Sequence, residues 1–200
     1  MITQEHLGRA MNYQHYRSLL QQLMAQGKTT GNNQSDAYLH YAKLNLQRML
    51  RLDKTVRMIE ELVETLKKIN GNYIWVVLTE GWCGDAAQNI PIMATIENMC
   101  PNISLKLLLR DENLDLMNQY LTGSSLSIPK LICVEATGLK EMFVWGPRPD
   151  EVQALMIDLK KKNTPSEEKA LLIQKWYNAD KTISLQSELA SLIAQFLTQK

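Results

Sequence analysis

The apolar positions of this sequence keep a helical rhythm at both ends and a strand-like rhythm in the middle. Over residues 1–26, Leu7, Met11, Leu19, Leu20, Leu23 and Met24 recur at helical steps among polar neighbours. Residues 27–33, Gly-Lys-Thr-Thr-Gly-Asn-Asn, read as a loop. Ser35 or Asp36 then caps a second helix, and Gly71 stops it. Its apolar set is Leu39, Leu46, Met49, Leu50, Val56, Ile59, Leu62, Val63, Leu66 and Ile69. Such a helix would span about 50 Å at 1.5 Å per residue, so a bend or break inside it is expected.

At Asn72 the character changes. The run Tyr-Ile-Trp-Val-Val-Leu-Thr over 73–79 predicts a strand buried on both faces. Glu80-Gly81-Trp82-Cys83-Gly84-Asp85 is a turn, followed by a helix over 85–99. A second strand is expected over 103–109, a short helix over 114–120 and a loop at 122–125. Residues 130–135 and 140–145 are strands joined through Ala136-Thr137-Gly138, close enough to run antiparallel. Pro149 opens a helix that runs to about residue 162. Thr164-Pro165-Ser166-Glu167 reads as a capping box with Thr164 as the cap, and a last helix covers 185–199. Strand–helix–strand units predict parallel strands with right-handed crossovers, and the final hairpin adds an antiparallel edge.

One residue in this pattern carries distinctive chemistry. Cys83 sits where a strand turns into a helix, so first-turn N–H groups and the helix dipole favour its thiolate. Gly84 lets the backbone approach closely, and Trp82 lays apolar surface beside the sulfur. Asp85 has several open roles: helix cap, proton shuttle, or a like charge opposing the thiolate.

Composition narrows the setting. The 45% hydrophobic content supplies a core without disulfides. A net charge of +1 gives no field for nucleic acid or membrane. The first twenty residues lack an apolar core segment, which predicts no signal peptide and a cytoplasmic location. There, Cys83, Cys100 and Cys133 remain thiols, and their spacing is no metal motif, so no metal or cofactor is expected. His6, His15 and His40, among Tyr13, Tyr16, Tyr38 and Tyr41, read as packing and interhelical hydrogen-bonding groups. Arg48, Arg51, Lys54 and Arg57, interrupted by Asp53, read as a solvated surface. The stiff turn over 145–149, with Arg148, reads as structural.

Trp82-Cys83-Gly84 ahead of a helix resembles the thioredoxin active site, Trp-Cys-Gly-Pro-Cys. Pro91 stands where thioredoxins carry the proline that kinks the active-site helix, and Ile128-Pro129 resembles their cis-proline loop. The resemblance covers about 72–162 and is nearest to thioredoxin-like proteins with a Trp-Cys-Gly-Asp motif and helical flanks. It implies an α/β fold: a thioredoxin-like core, with a mixed central sheet of about four strands flanked by helices, and extra helices at both ends. The helical extensions would cover 1–71 and 163–200, the second packing on the core. Three positions depart from the family pattern: Ala86 replaces the second cysteine, Asp85 the proline between, and Val77 the buried acid. Cys100 and Cys133 lie about 25 Å and about 13 Å along their elements from the site, beyond the roughly 7 Å a disulfide allows between Cα atoms.

The resemblance therefore implies a thiol–disulfide oxidoreductase acting through one nucleophilic cysteine, Cys83, with an external thiol resolving the adduct. Trp82, Gly84, Asp85, Ile128 and Pro129, with Lys130, would form the groove for a protein or small-molecule thiol or disulfide. Two alternatives stand beside it: a non-catalytic thioredoxin-fold protein-binding module, and a monothiol-glutaredoxin-like carrier of glutathione or an iron–sulfur cluster.

Overall fold

The computed structural model describes residues 1–198. In chain order the elements are α1 (Gln4–Arg9), α2 (Tyr13–Ala25), α3 (Asp36–Thr55), α4 (Glu60–Leu66), β1 (Tyr73–Thr79), α5 (Gly84–Met99) and β2 (Ile103–Leu109). A 3-10 turn (Arg110–Glu112) and the single-turn α6 (Leu114–Met117) follow. Then come β3 (Lys130–Glu135), β4 (Glu141–Trp145), α7 (Asp150–Lys161), α8 (Ser166–Asp180) and α9 (Ile183–Thr198). Gln199, at the end of the expected last helix, lies outside the described residues.

The sheet order is β2-β1-β3-β4, so the apolar β1 lies inside, with six of its seven residues buried. β1 and β2 are parallel, joined by the α5 crossover, as expected. β3, however, runs antiparallel to β1, and β4 antiparallel to β3. The expectation of a second parallel unit fails because α6 has only one turn. A parallel return must carry the chain back across the sheet, which takes a dozen or more residues of crossover. Instead the chain stays at the end where β1 finishes and re-enters at Lys130, opposite Leu78. Ile128-Pro129, a cis peptide, is thereby placed beside the β1–α5 turn.

Both helices expected ahead of β1 are interrupted, the second as its length implied, and each break is satisfied by a partner far along the chain. Residues 10–12 separate α1 from α2. Met11 exchanges two backbone hydrogen bonds with Leu107 (2.9 and 2.8 Å), adding a bridge at the free edge of β2. Asn12 caps α2 by accepting from the His15 N–H at 2.8 Å. His6 bonds Asp115 at 3.0 Å and closes a capping box with Thr3, a packing role of the expected kind.

Residues 56–59 separate α3 from α4. There the fully buried Gln186 of α9 accepts from the Ile59 N–H (2.8 Å) and donates to the Arg57 carbonyl (3.1 Å). Replacing this amide strands two partly buried backbone groups, each costing about 1 kcal/mol. Gln186→Leu is therefore expected to lower stability by about 2 kcal/mol in urea denaturation. A change within 0.5 kcal/mol, about the level of an ordinary surface substitution, would mean water reaches the break. The capping box expected at Thr164 does not form: Pro165 is the cap of α8, with no side-chain cap bond.

α3 packs on α5, α4 on α9, and α7 on α8. Tyr16, Leu20, Met49 and Leu62 from the N-terminal helices join the sheet residues and Leu189, Ile193 and Phe196 of α9 in one buried cluster. Val152, Leu159, Ile173 and Tyr177 form a smaller cluster between α7 and α8. Among the described residues, no helix is long and apolar enough to cross a membrane.

Candidate functional site around Cys83

Cys83 is the cap residue of α5, in extended backbone, with its N–H bonded to the Glu80 carbonyl at 3.1 Å. Its sulfur accepts from the Ala86 N–H at 3.4 Å, the helix-end contact that the sequence predicted. The Sγ–H donates across the site to the Ile128 carbonyl at 3.2 Å, which joins the cysteine turn to the proline loop. Cys83, Cys100 and Cys133 are all free and buried.

The electrostatic balance at Cys83 differs from the expectation. Burial pushes the thiol up to about 12, and the Asp85 charge pushes the same way. The Ala86 N–H and the positive charge of Arg148 oppose this without overcoming it. The helix end does favour the thiolate, but removal of the sulfur from water outweighs it. In this conformation Cys83 is a protonated thiol at neutral pH.

Asp85 is neither the helix cap nor a free carboxylate. Its Oδ2 accepts from Arg148 Nε (3.0 Å) and a terminal guanidinium nitrogen (2.5 Å), and its Oδ1 accepts from the Tyr177 hydroxyl (2.8 Å). Burial alone would pull the Arg148 guanidinium down, yet the Asp85 charge and hydrogen bonds hold it above its ordinary value. Burial, then Asp85, raises the Tyr177 phenol well above its usual range. Asn89 donates to the Tyr177 oxygen (3.2 Å) and, one turn back, to the Asp85 carbonyl (2.8 Å). The stiff turn carrying Arg148 and helix α8 are thus clamped onto the start of α5.

A cavity of about 490 Å³ opens at this point, lined in part by Trp82, Cys83, Gly84, Asp85 and Ile128. Five of the seven residues expected in the site therefore line one cavity. Pro129 does not line it. Its carbonyl packs against Gly146, where a Cβ would lie 2.3 Å from the Pro129 oxygen and where φ is +112°. Only glycine fits that approach. Lys130, expected to face the groove, is buried with its ammonium on the Thr122 hydroxyl (2.8 Å) and the Gly146 carbonyl (3.1 Å), so it braces the loop instead.

Several lining residues escaped the sequence reading. Tyr38 packs on Trp82 with ring centroids 5.0 Å apart, and the Arg110 guanidinium lies 4.8 Å over the Trp82 ring. Arg48, assigned to a solvated face, stands beside Gly84 instead: a Cβ built there would lie 3.4 Å from Arg48 Nη1. Lys169, Ile173 and Tyr177 of α8 form another wall. In the sequence their segment showed only a helix start at 164–167, with no signal that it faces the site. Among the described residues, no cluster of three or more histidine, cysteine or acidic side chains could hold a metal.

Comparison with known proteins fits this geometry. A family model described as Thioredoxin matches residues 31–162. A search of curated proteins gives no match. Among solved structures, PA1234 from Pseudomonas aeruginosa, a protein of unknown function, superposes with a TM-score of 0.64 at 15% identity, over 98% of this chain and 99% of that one. An HIV epitope-scaffold superposes with a TM-score of 0.61, also at 15% identity, over 96% of each chain. At such identity these two establish the fold alone, whereas the family match spans more than half of the sequence: the chain belongs to the thioredoxin family.

Proposed function

We propose that the protein exchanges thiols and disulfides through Cys83 alone. The observation that carries this reading is the sulfur's position, on a cavity wall between the start of α5 and the Ile128 carbonyl. The Cys83 thiolate attacks one sulfur of a bound disulfide. A Cys83–ligand S–S bond forms, the original S–S bond breaks, and the departing half leaves as a thiolate that takes a proton from water. A second, external thiol later attacks the adduct and restores Cys83, since Cys100 and Cys133 belong to other parts of the core.

The raised thiol shapes the kinetics. Little thiolate is present at neutral pH, so attack is slow. Cys83 is also a poor leaving group, so the mixed disulfide is long-lived. Such a site holds an adduct more readily than it turns over quickly. The same protonated thiol favours a second reading, a thioredoxin-fold binding module whose cysteine does not react.

Incubation with glutathione disulfide at pH 8.5, followed by peptide mapping, separates the two. Exchange predicts one adduct, on the peptide holding Cys83, absent in Cys83→Ala and reversed by added thiol. No adduct in the folded protein would leave the binding module.

A further inference from the structure

We propose that the cavity beside Cys83 takes an anionic low-molecular-mass thiol or its disulfide, with a carboxylate or phosphate on Arg48 and the sulfur against Cys83. This names the substrate class of the exchange above and rests on that reading for its chemistry, although the recognition itself needs no reaction at the thiol.

Charge is the first argument. The chain carries a net +1, yet the cavity gathers Arg48, Arg110, Arg148 and Lys169 against one carboxylate, Asp85. Arg148 is committed to Asp85 at 2.5 Å, and Arg110 to Asp111 at 2.7 Å. Among the described residues, Arg48 and Lys169 have no carboxylate partner within ion-pair distance. The uncompensated charge is therefore concentrated on two sides of the cavity, on α3 and on α8.

Arg48 is also held in place. Its Nη1 donates to Asn45 Oδ1 at 2.8 Å, and the buried Asn45 is fixed in turn by donating to the Gly81 carbonyl at 3.0 Å. That relay ties the guanidinium to the loop that presents Cys83. Burial, then the nearby charge of Arg51, lowers its proton affinity. A guanidinium partly removed from water and given only a neutral protein acceptor keeps N–H donors to offer a ligand, and an oxyanion can take them in a charge-assisted, two-pronged contact. The positive end of α5 begins at Gly84, against the same Nη1, and favours the same sign of ligand charge.

Shape is the second argument. A volume of about 490 Å³ falls within the 300–1,000 Å³ typical of small-molecule sites. Trp82, Tyr38, Ile128 and Ile173 give it apolar walls, and α8 lines one side through Lys169, Ile173 and Tyr177. The arrangement fits a short, charged molecule whose sulfur lies among these apolar side chains.

The test is calorimetric titration of two sulfur-blocked probes, S-methylglutathione for the carboxylate class and S-methyl-coenzyme A for the phosphate class, with S-methylcysteamine as the probe lacking an anion. Saturable binding of at least one anionic probe is expected, and which one binds identifies the anion. Affinity should fall at least tenfold in Arg48→Gln, recover partly in Arg48→Lys, and weaken with salt, while thermal melting of both variants matches the wild type. Binding of neither anionic probe, equal binding of S-methylcysteamine, or unchanged affinity in Arg48→Gln would overturn the proposal. Because the probes cannot react, binding that persists in a protein forming no Cys83 adduct would reject the exchange reading and keep this one.

Discussion

Arg148→Met is expected to lower stability by about 3–5 kcal/mol at pH 7, the cost of leaving a buried carboxylate without its counter-charge. The Asp85 and Arg148 side chains are only 11% and 13% exposed, so solvent cannot substitute for the lost guanidinium. Methionine fills similar volume, which keeps the loss electrostatic rather than one of packing. Arg148 also donates to Gln153 of α7 at 2.9 Å, and Tyr177 of α8 donates to the same carboxylate. The substitution therefore weakens the attachment of both helices to the start of α5. Urea denaturation reads the effect as a lower midpoint with an unchanged slope. The double variant Arg148→Met with Asp85→Asn should recover most of the loss, because no buried charge then remains unpaired. A single-variant loss below about 1 kcal/mol would mean that Asp85 reaches water when Arg148 is gone, as an exposed ion pair allows.

This ion pair marks where the sequence stopped being readable. The strands were legible because each is a short apolar run bounded by turn residues, and β1, β2 and β3 fall where the pattern put them. Cys83, Trp82 and Ile128 were legible because a strand-to-helix turn and a proline-led strand carry local signals. The direction of β3 was not, since it depends on the chain's failure to cross the sheet through a one-turn α6. The helix break at 10–12 was hidden as well, and the break expected from the length of the second helix could not be placed at 56–59. Met11 leaves the helix for a bridge to Leu107, and Ile59 for the amide of Gln186, partners that no local window contains. Arg48 and Tyr177 escaped for the same reason. Helical periodicity says that such residues occupy a face, but only the packing of α3 and α8 on α5 turns those faces toward the cysteine.

The Cys83 thiol itself gives the other large effect. An acid held up near 12 is almost wholly protonated at pH 7.5, and its thiolate fraction grows tenfold for each pH step until that midpoint is approached. Alkylation of Cys83 by iodoacetamide should therefore climb with pH through 10 without a plateau, the reverse of an activated thiol saturating below 8. Asp85→Asn changes two influences in one direction. It removes the like charge that opposes the thiolate, and it frees the positive charge of Arg148, which already favours it. Asparagine keeps one acceptor oxygen, which can serve Arg148 or the Tyr177 hydroxyl but not both positions, so the clamp on α5 is weakened rather than lost. The midpoint should move down, and the rate at pH 7.5 should rise by about tenfold after allowing for the lower intrinsic nucleophilicity of a more acidic thiol. Mass spectrometry of the Cys83 peptide across pH 6–10 gives the rate at each pH, and a lowered midpoint reads there as a raised rate all along the slope. An unchanged profile in Asp85→Asn would assign the protonated thiol to burial alone. In that case Asp85 belongs to the clamp on α8 and has no part in setting the reactivity of the sulfur.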